Sequence, residues 1–171
     1  MRGLLMNKHP FDLLSVANGS QLIFTPCPGS KGVNLEDSIK QLKQAGTSVL
    51  LTLMFPDEMS KYQLAALPDI CQQHKINWLQ LPIIDDEAPG KAFEAHWLKY
   101  KATILAALNN QETVAVHCKG GTGRTGLVIA LILFNLGLAS EKIIDVVQKV
   151  RPKALINPAQ LAYFNSITST Q

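Results

Sequence analysis

The residues with the clearest chemical potential run consecutively: His117-Cys118-Lys119-Gly120-Gly121-Thr122-Gly123-Arg124-Thr125-Gly126. They fall between an apolar run of strand length, Thr113 to His117, and an apolar run of helix length, Leu127 to Leu138. An open parallel sheet places its ligand crevice there, at the carboxyl end of a strand. The helix that follows presents unpaired N–H groups and a partial positive charge to an anion. Gly120, Gly121 and Gly123 let the backbone curl so that successive N–H groups of Lys119 to Arg124 point inward as a nest. Arg124 adds a planar fork matched to phosphate oxygens. Cys118 begins the loop, where the nest, Arg124 and the helix dipole all favour its thiolate. A thiolate is the nucleophile needed for attack on phosphorus. Thr125 can donate to that sulfur and stabilise it as a leaving group. His117 is expected to orient the loop through its ring hydrogen bonds.

Two other readings compete for this stretch. Cysteine is often a small buried hydrophobe, and a glycine-rich strand-to-helix turn can hold a nucleotide. The pattern Gly-x-x-x-x-Gly-Lys-Ser/Thr is absent, however. A cysteine followed after five residues by Arg-Thr fits a thiolate phosphate loop instead.

Alternating elements must position the loop. Gln21 to Thr25 reads as a strand stopped by Pro26-Cys27-Pro28-Gly29. Asn34 is a helix N-cap, with Glu36 and Asp37 in the first turn and Leu35, Ile39 and Leu42 on one face. Gly46 supplies its stop. Ser48 to Leu53 is a strand, Met59 to Lys75 is helical with an interruption at Pro68, and Asn77 to Leu81 is a strand. Phe93, Trp97, Tyr100, Ile104 and Leu108 repeat at helical spacing. Ser140 is expected to cap the helix bearing Ile143, Ile144, Val147 and Val150, and a last helix begins at Asn157-Pro158. The class this predicts is α/β: a mostly parallel central sheet flanked by helices on both faces.

The 171 residues suit one domain, 1–171, with a core over about 20–168. An apolar fraction of 47%, with 17% charged residues and a mean hydropathy of +0.10, excludes a disordered chain. Cys27, Cys71 and Cys118 are too few and too dispersed for a disulfide scaffold or a zinc site. The start, Met1 to Lys8, lacks the apolar stretch of roughly 7–15 residues of a signal peptide. The Leu127–Leu138 run falls short of the roughly 20 residues that span a bilayer. A cytoplasmic protein is expected. The net charge of +3 suits an anionic substrate and argues for no nucleic-acid partner.

His-Cys-x5-Arg-Thr resembles the signature of the cysteine-dependent protein tyrosine and dual-specificity phosphatases. Phe24 to Lys31, Glu58 to Tyr62, Pro82 to Pro89 and Val150 to Gln160 resemble stretches of the cyclin-dependent kinase inhibitor 3 (kinase-associated phosphatase) subfamily. The matches span roughly residues 22 to 164. The resemblance implies the phosphatase fold and a general acid outside the loop. Asp85, Asp86 and Glu87 cluster after a strand, and the subfamily pattern Pro-Ile-x-Asp-x-x-x-Pro gives the role to Asp85, with Asp86 in reserve. It also implies that Gln160 can orient the hydrolytic water. Asn157, Pro158 and Gln160 equally form a helix-start signature.

Together these readings predict a metal-independent phosphatase with no cofactor, working through a phosphocysteine. It would act on phosphotyrosine, and on phosphoserine and phosphothreonine if the site is shallow, as the short chain suggests. The expected partner is a phosphorylated protein, a kinase among the candidates. Phosphoinositides, RNA 5′-phosphates or small phosphates are the alternative substrates, and a phosphate-binding pseudophosphatase is the rival that lacks turnover. Lys119 and Lys153 can add positive potential near the pocket. His74, His96, Trp97 and Tyr100 read as surface or packing residues. Cys27 or Cys71 could resolve an oxidised Cys118 if the fold brings it close.

Overall fold

The computed structural model describes residues 7–169. The reading of the first residues as too short for a signal peptide bears chiefly on residues 1–6, which lie outside the described residues. In chain order the elements are β1 (Asp12–Ser15), β2 (Gln21–Thr25), α1 (Leu35–Gln44), β3 (Thr47–Thr52), α2 (Pro56–Lys61), α3 (Leu67–Gln73), β4 (Asn77–Gln80), α4 (Lys91–Asn109), β5 (Thr113–His117), α5 (Gly123–Asn135), α6 (Ser140–Val150) and α7 (Pro158–Thr168).

The sheet order is β1-β2-β5-β3-β4. β2, β5, β3 and β4 run parallel, and β1 is an antiparallel edge beside β2. The pairing aligns Thr25 and Thr52 with His117, and Gln80 with Thr52. Four strands therefore end level, and the loop after β5 leaves from the middle of that edge.

Strand alternation sorts the core into two faces. Leu22, Phe24, Val49, Leu51, Val114 and Val116 pack with residues of α4, α5, α6 and α7. Ile23, Leu50 and Ala115 face the other way, with residues of α1, α2 and α3. α5 is buried along most of its length, as an all-apolar helix must be. Gly126 permits this. A Cβ there would sit 2.5 Å from the Ala154 Cβ and 3.5 Å from Val147 Cγ1, so α6 and the segment after it pack against bare backbone.

The structure bears out the α/β class and corrects details. Asn34 caps α1 by accepting from the Asp37 N–H at 2.8 Å. Gly46, at φ +104, follows its end. Pro68 does not interrupt a long helix; α2 ends before Tyr62, and Pro68 sits in the first turn of α3, where its missing N–H leaves no bond unmade. Ser140 is not the cap of α6. Ala139 holds that position and makes no side-chain cap bond. β1 was not anticipated, because Asp12-Leu13-Leu14-Ser15 is a short exposed edge without alternation.

Candidate active site

Cys118 and the turn that follows it occupy the gap between β5 and α5. The Gly121 N–H and the Thr125 hydroxyl both donate to Cys118 Sγ, at 3.2 Å each. Two donors on one sulfur stabilise negative charge there. The first-turn N–H groups of α5, which begins at Gly123, have no partner within the helix.

The loop's shape is held from outside. Gly121 has φ +78, and a Cβ would lie 2.6 Å from the Thr25 carbonyl carbon and 2.7 Å from the Pro26 nitrogen. Only glycine lets the loop rest on that backbone. The Cys27 N–H donates to the Lys119 carbonyl at 2.9 Å. His117 Nδ1 lies 3.0 Å from the Cys118 carbonyl, which can only accept, so Nδ1 carries the proton. Nε2 is then an acceptor for the Thr52 hydroxyl at 2.7 Å, and Thr52 Oγ1 accepts from Trp78 Nε1 at 2.8 Å. Burial pushes His117 down to about 4, so the ring is neutral near pH 7. The ring thus ties the loop, through the Cys118 carbonyl, to β3, through Thr52.

Arg124 is 1% exposed. Its terminal nitrogens donate to both oxygens of Glu58 at 2.7 and 3.0 Å, and one also donates to the Ile83 carbonyl at 3.0 Å. Asp85 Oδ1 lies 3.3 Å from the other terminal nitrogen. Burial opposes the guanidinium charge. The Glu58 hydrogen bonds, with the charges of Cys118, Glu58 and Asp85, outweigh it and hold Arg124 above its ordinary value. Arg124 Nε is buried with no hydrogen-bond partner.

Asp85 is 60% exposed at the side chain, on the loop after β4. The loop is tied to α7. Asn157 accepts from Ala159 and Gln160 as N-cap, and its amide donates to the Asp86 carbonyl at 3.0 Å. Gln160 is buried and donates to the Glu87 carbonyl at 3.3 Å, leaving its Oε1 buried without a partner beside Gly123. The helix-start signature thus accounts for Asn157 but not for where the Gln160 side chain goes.

A cleft of about 440 Å³ is lined by Phe55, Asp57, Glu58, Ile84 and Asp85. Lys119 Nζ and Lys61 Nζ lie 4.8 and 5.5 Å from the Tyr62 ring centre. Lys153 is exposed, and His74 sits at the end of α3 facing Glu36 at 3.7 Å. His96 bonds the Gln80 carbonyl, and Trp97 stacks on Phe93. Cys27 lies under the loop, its thiol pushed up to about 12 by burial and the nearby Cys118 charge. Cys71 belongs to the same core face as Cys27, the one packed against α1, α2 and α3, and is likewise raised to about 12 by burial. Protonated thiols are poor resolving nucleophiles.

Sequence reasoning assigned no role to Glu58 or Arg151, and it read Asn157 as a helix cap without its bond to the Asp86 carbonyl. A buried arginine demands a carboxylate, but nothing local says that it stands 66 positions upstream.

A parallel sheet carrying a cysteine-and-arginine anion loop at its carboxyl edge defines a class, the cysteine-dependent phosphatases. A family model described as "Polymorphic toxin system, DSP-PTPase phosphatase" matches residues 28–138. Cyclin-dependent kinase inhibitor 3 of Rattus norvegicus is 32% identical over 152 residues, covering 84% of this chain and 69% of that protein. Protein tyrosine phosphatase type IVA 2 of Mus musculus is 30% identical over 123 residues, covering 64% and 70%. The crystal structure of kinase associated phosphatase, with serine at its catalytic-site cysteine, superposes with a TM-score of 0.82 at 24% identity, over 97% of this chain and 99% of that one. The chain belongs to the dual-specificity and protein tyrosine phosphatase family, as a cysteine-dependent phosphatase.

Proposed function

We propose that the protein hydrolyses phosphomonoesters through a phosphocysteine formed on Cys118. The observation that carries this is the grouping of the doubly hydrogen-bonded Cys118 sulfur, the Arg124 guanidinium and the Asp85 carboxylate at one loop mouth. In the first step the Cys118 thiolate attacks phosphorus, the ester P–O bond breaks, and Asp85 delivers a proton to the departing oxygen. Arg124 and the N–H groups of Lys119, Gly120, Gly121, Thr122, Gly123 and Arg124 hold the equatorial oxygens. In the second step water attacks phosphorus, Asp85 takes its proton, and the S–P bond breaks. Thr125 and the Gly121 N–H receive the returning thiolate charge. His117 and Gln160 support the loop and the water.

The substrate we favour is a phosphorylated protein, with a phosphorylated kinase suggested by the names of the relatives. Lys119 and Lys61, both over the Tyr62 ring, favour a second reading, the same chemistry on a phosphoinositide or another substrate carrying a further anionic group. Among the described residues no helix is long and apolar enough to cross a membrane.

The test is a single-turnover experiment with labelled aryl phosphate. Acid quench should trap label on wild-type protein and none on Cys118→Ser, which should still bind phosphate analogues. Arg124→Lys should lose most activity, since lysine cannot replace the fork. Turnover by Cys118→Ser at a substantial rate would sink the covalent route. Side-by-side assay of phosphopeptides and phosphoinositides separates the two substrate readings.

A further inference from the structure

We propose that Arg151 is a positioning residue for the phosphate loop, fixing the Gly121–Thr122 peptide so that the Thr122 N–H faces the phosphoryl oxygens. This rests on the reading of that loop as the phosphate site.

Arg151 closes α6 as its C-cap and turns back toward the sheet edge. Its Nε donates to the Gly121 carbonyl at 3.0 Å. One terminal nitrogen bonds the Asp12 carboxylate on β1, and the other donates to the Phe24 carbonyl at 3.4 Å. The guanidinium also lies over the Phe24 ring, 5.6 Å from its centre. With the side chain only 16% exposed, these contacts fix the plane of the guanidinium.

A trans peptide points its C=O and N–H in opposite directions. The described peptides are all trans. Holding the Gly121 oxygen outward therefore turns the Thr122 N–H inward. The same logic applies to two other loop carbonyls, that of Cys118 held by His117 and that of Lys119 held by Cys27. Gly121 differs in its backbone conformation, with φ +78. Its left-handed φ is one that glycine leaves easily, so its peptide is the one most free to turn. A donor that must reorganise before it meets charge contributes less than one already aimed. Lysine cannot reproduce the arrangement, because a single ammonium cannot meet Gly121, Phe24 and Asp12 in one plane.

Orthovanadate inhibition and kcat/KM on an aryl phosphate, read beside Tm, test the idea. Arg151→Lys should weaken vanadate and lower kcat/KM by about 10–100-fold, short of the full loss of an oxyanion donor. Should Arg151→Lys fold poorly, Asp12→Asn removes one anchor at the exposed edge and should give a smaller loss in both readouts. Ethylguanidine should restore part of the activity of Arg151→Ala. Vanadate affinity and kcat/KM within twofold of wild type, in folded Arg151→Lys or in Asp12→Asn with no rescue of Arg151→Ala, would overturn the assignment. Arg124→Lys is the control for the parent reading. If it binds vanadate as wild type does, the loop is not the phosphate site; if it fails while Arg151→Lys does not, only the role of Arg151 falls.

Discussion

Arg124 grips Glu58 with both terminal nitrogens, at 2.7 and 3.0 Å, across 66 positions of sequence. The pair spends one edge of the guanidinium on the protein and leaves Nε without a hydrogen-bond partner. The orientation of the guanidinium is therefore set by the protein itself.

Truncating one partner of a buried pair leaves a charge without compensation, at about 3–5 kcal/mol when both are fully buried. Glu58 keeps 20% of its side-chain exposure, so Glu58→Ala should fall at or below the low end of that range. A misplaced Arg124 should also lower kcat/KM by about 100-fold, the usual consequence of an ångström-scale displacement. Glu58→Gln, which keeps one acceptor, should lie between. Denaturant titration and steady-state kinetics on the same samples check both effects; unchanged kinetics in Glu58→Ala would show that the clamp does not aim the arginine.

Asp85 stands 3.3 Å from Arg124, whereas the neighbouring Asp86 has φ +62 and its carbonyl is tied to Asn157. Asp85→Ala should cost about 10²–10⁴-fold on an alkyl phosphate and less on an activated aryl phosphate, whose leaving group needs little protonation. Asp86→Ala should lack that dependence on leaving group. If only Asp86→Ala shows it, the acid assignment shifts by one residue.

The buried, unpartnered Gln160 Oε1 beside Gly123 suits a water-orienting group. Gln160→Ala should slow breakdown of the phosphoenzyme more than its formation. Rapid-quench kinetics should then show a burst followed by a slower steady state. Equal slowing of both steps would assign Gln160 to holding the Glu87 loop alone.

His9 and His117 are both pushed down to about 4 by burial, from an ordinary 6.5. Between those values the unfolded chain binds protons that the native one refuses. Their contribution is thus complete above about pH 6.5 and is lost as pH falls toward 4. For His117 the full loss is up to about 3 kcal/mol. Urea midpoints measured from pH 7 down to pH 5 should fall, and His9→Gln should flatten the slope. A flat wild-type profile would contradict neutral burial of these rings.

Much of this was legible in sequence because it is local. Thr113 to Thr125 combines strand, glycine turn and helix start in one continuous stretch, and the caps at Asn34 and Asn157 act within their own first turns. Cys118, Arg124 and Thr125 converge because they share that stretch. The acid loop entered through resemblance, and the short edge strand β1 had no periodicity to announce it. What only the tertiary structure decided is which distant groups meet the loop. Glu58, Asp85, Asn157 and Arg151 reach it from α2, from the loop after β4 and from the ends flanking α7 and α6. Sheet order brings those ends together, and sheet order is set by burial of both faces, a property of the whole chain rather than of any window within it.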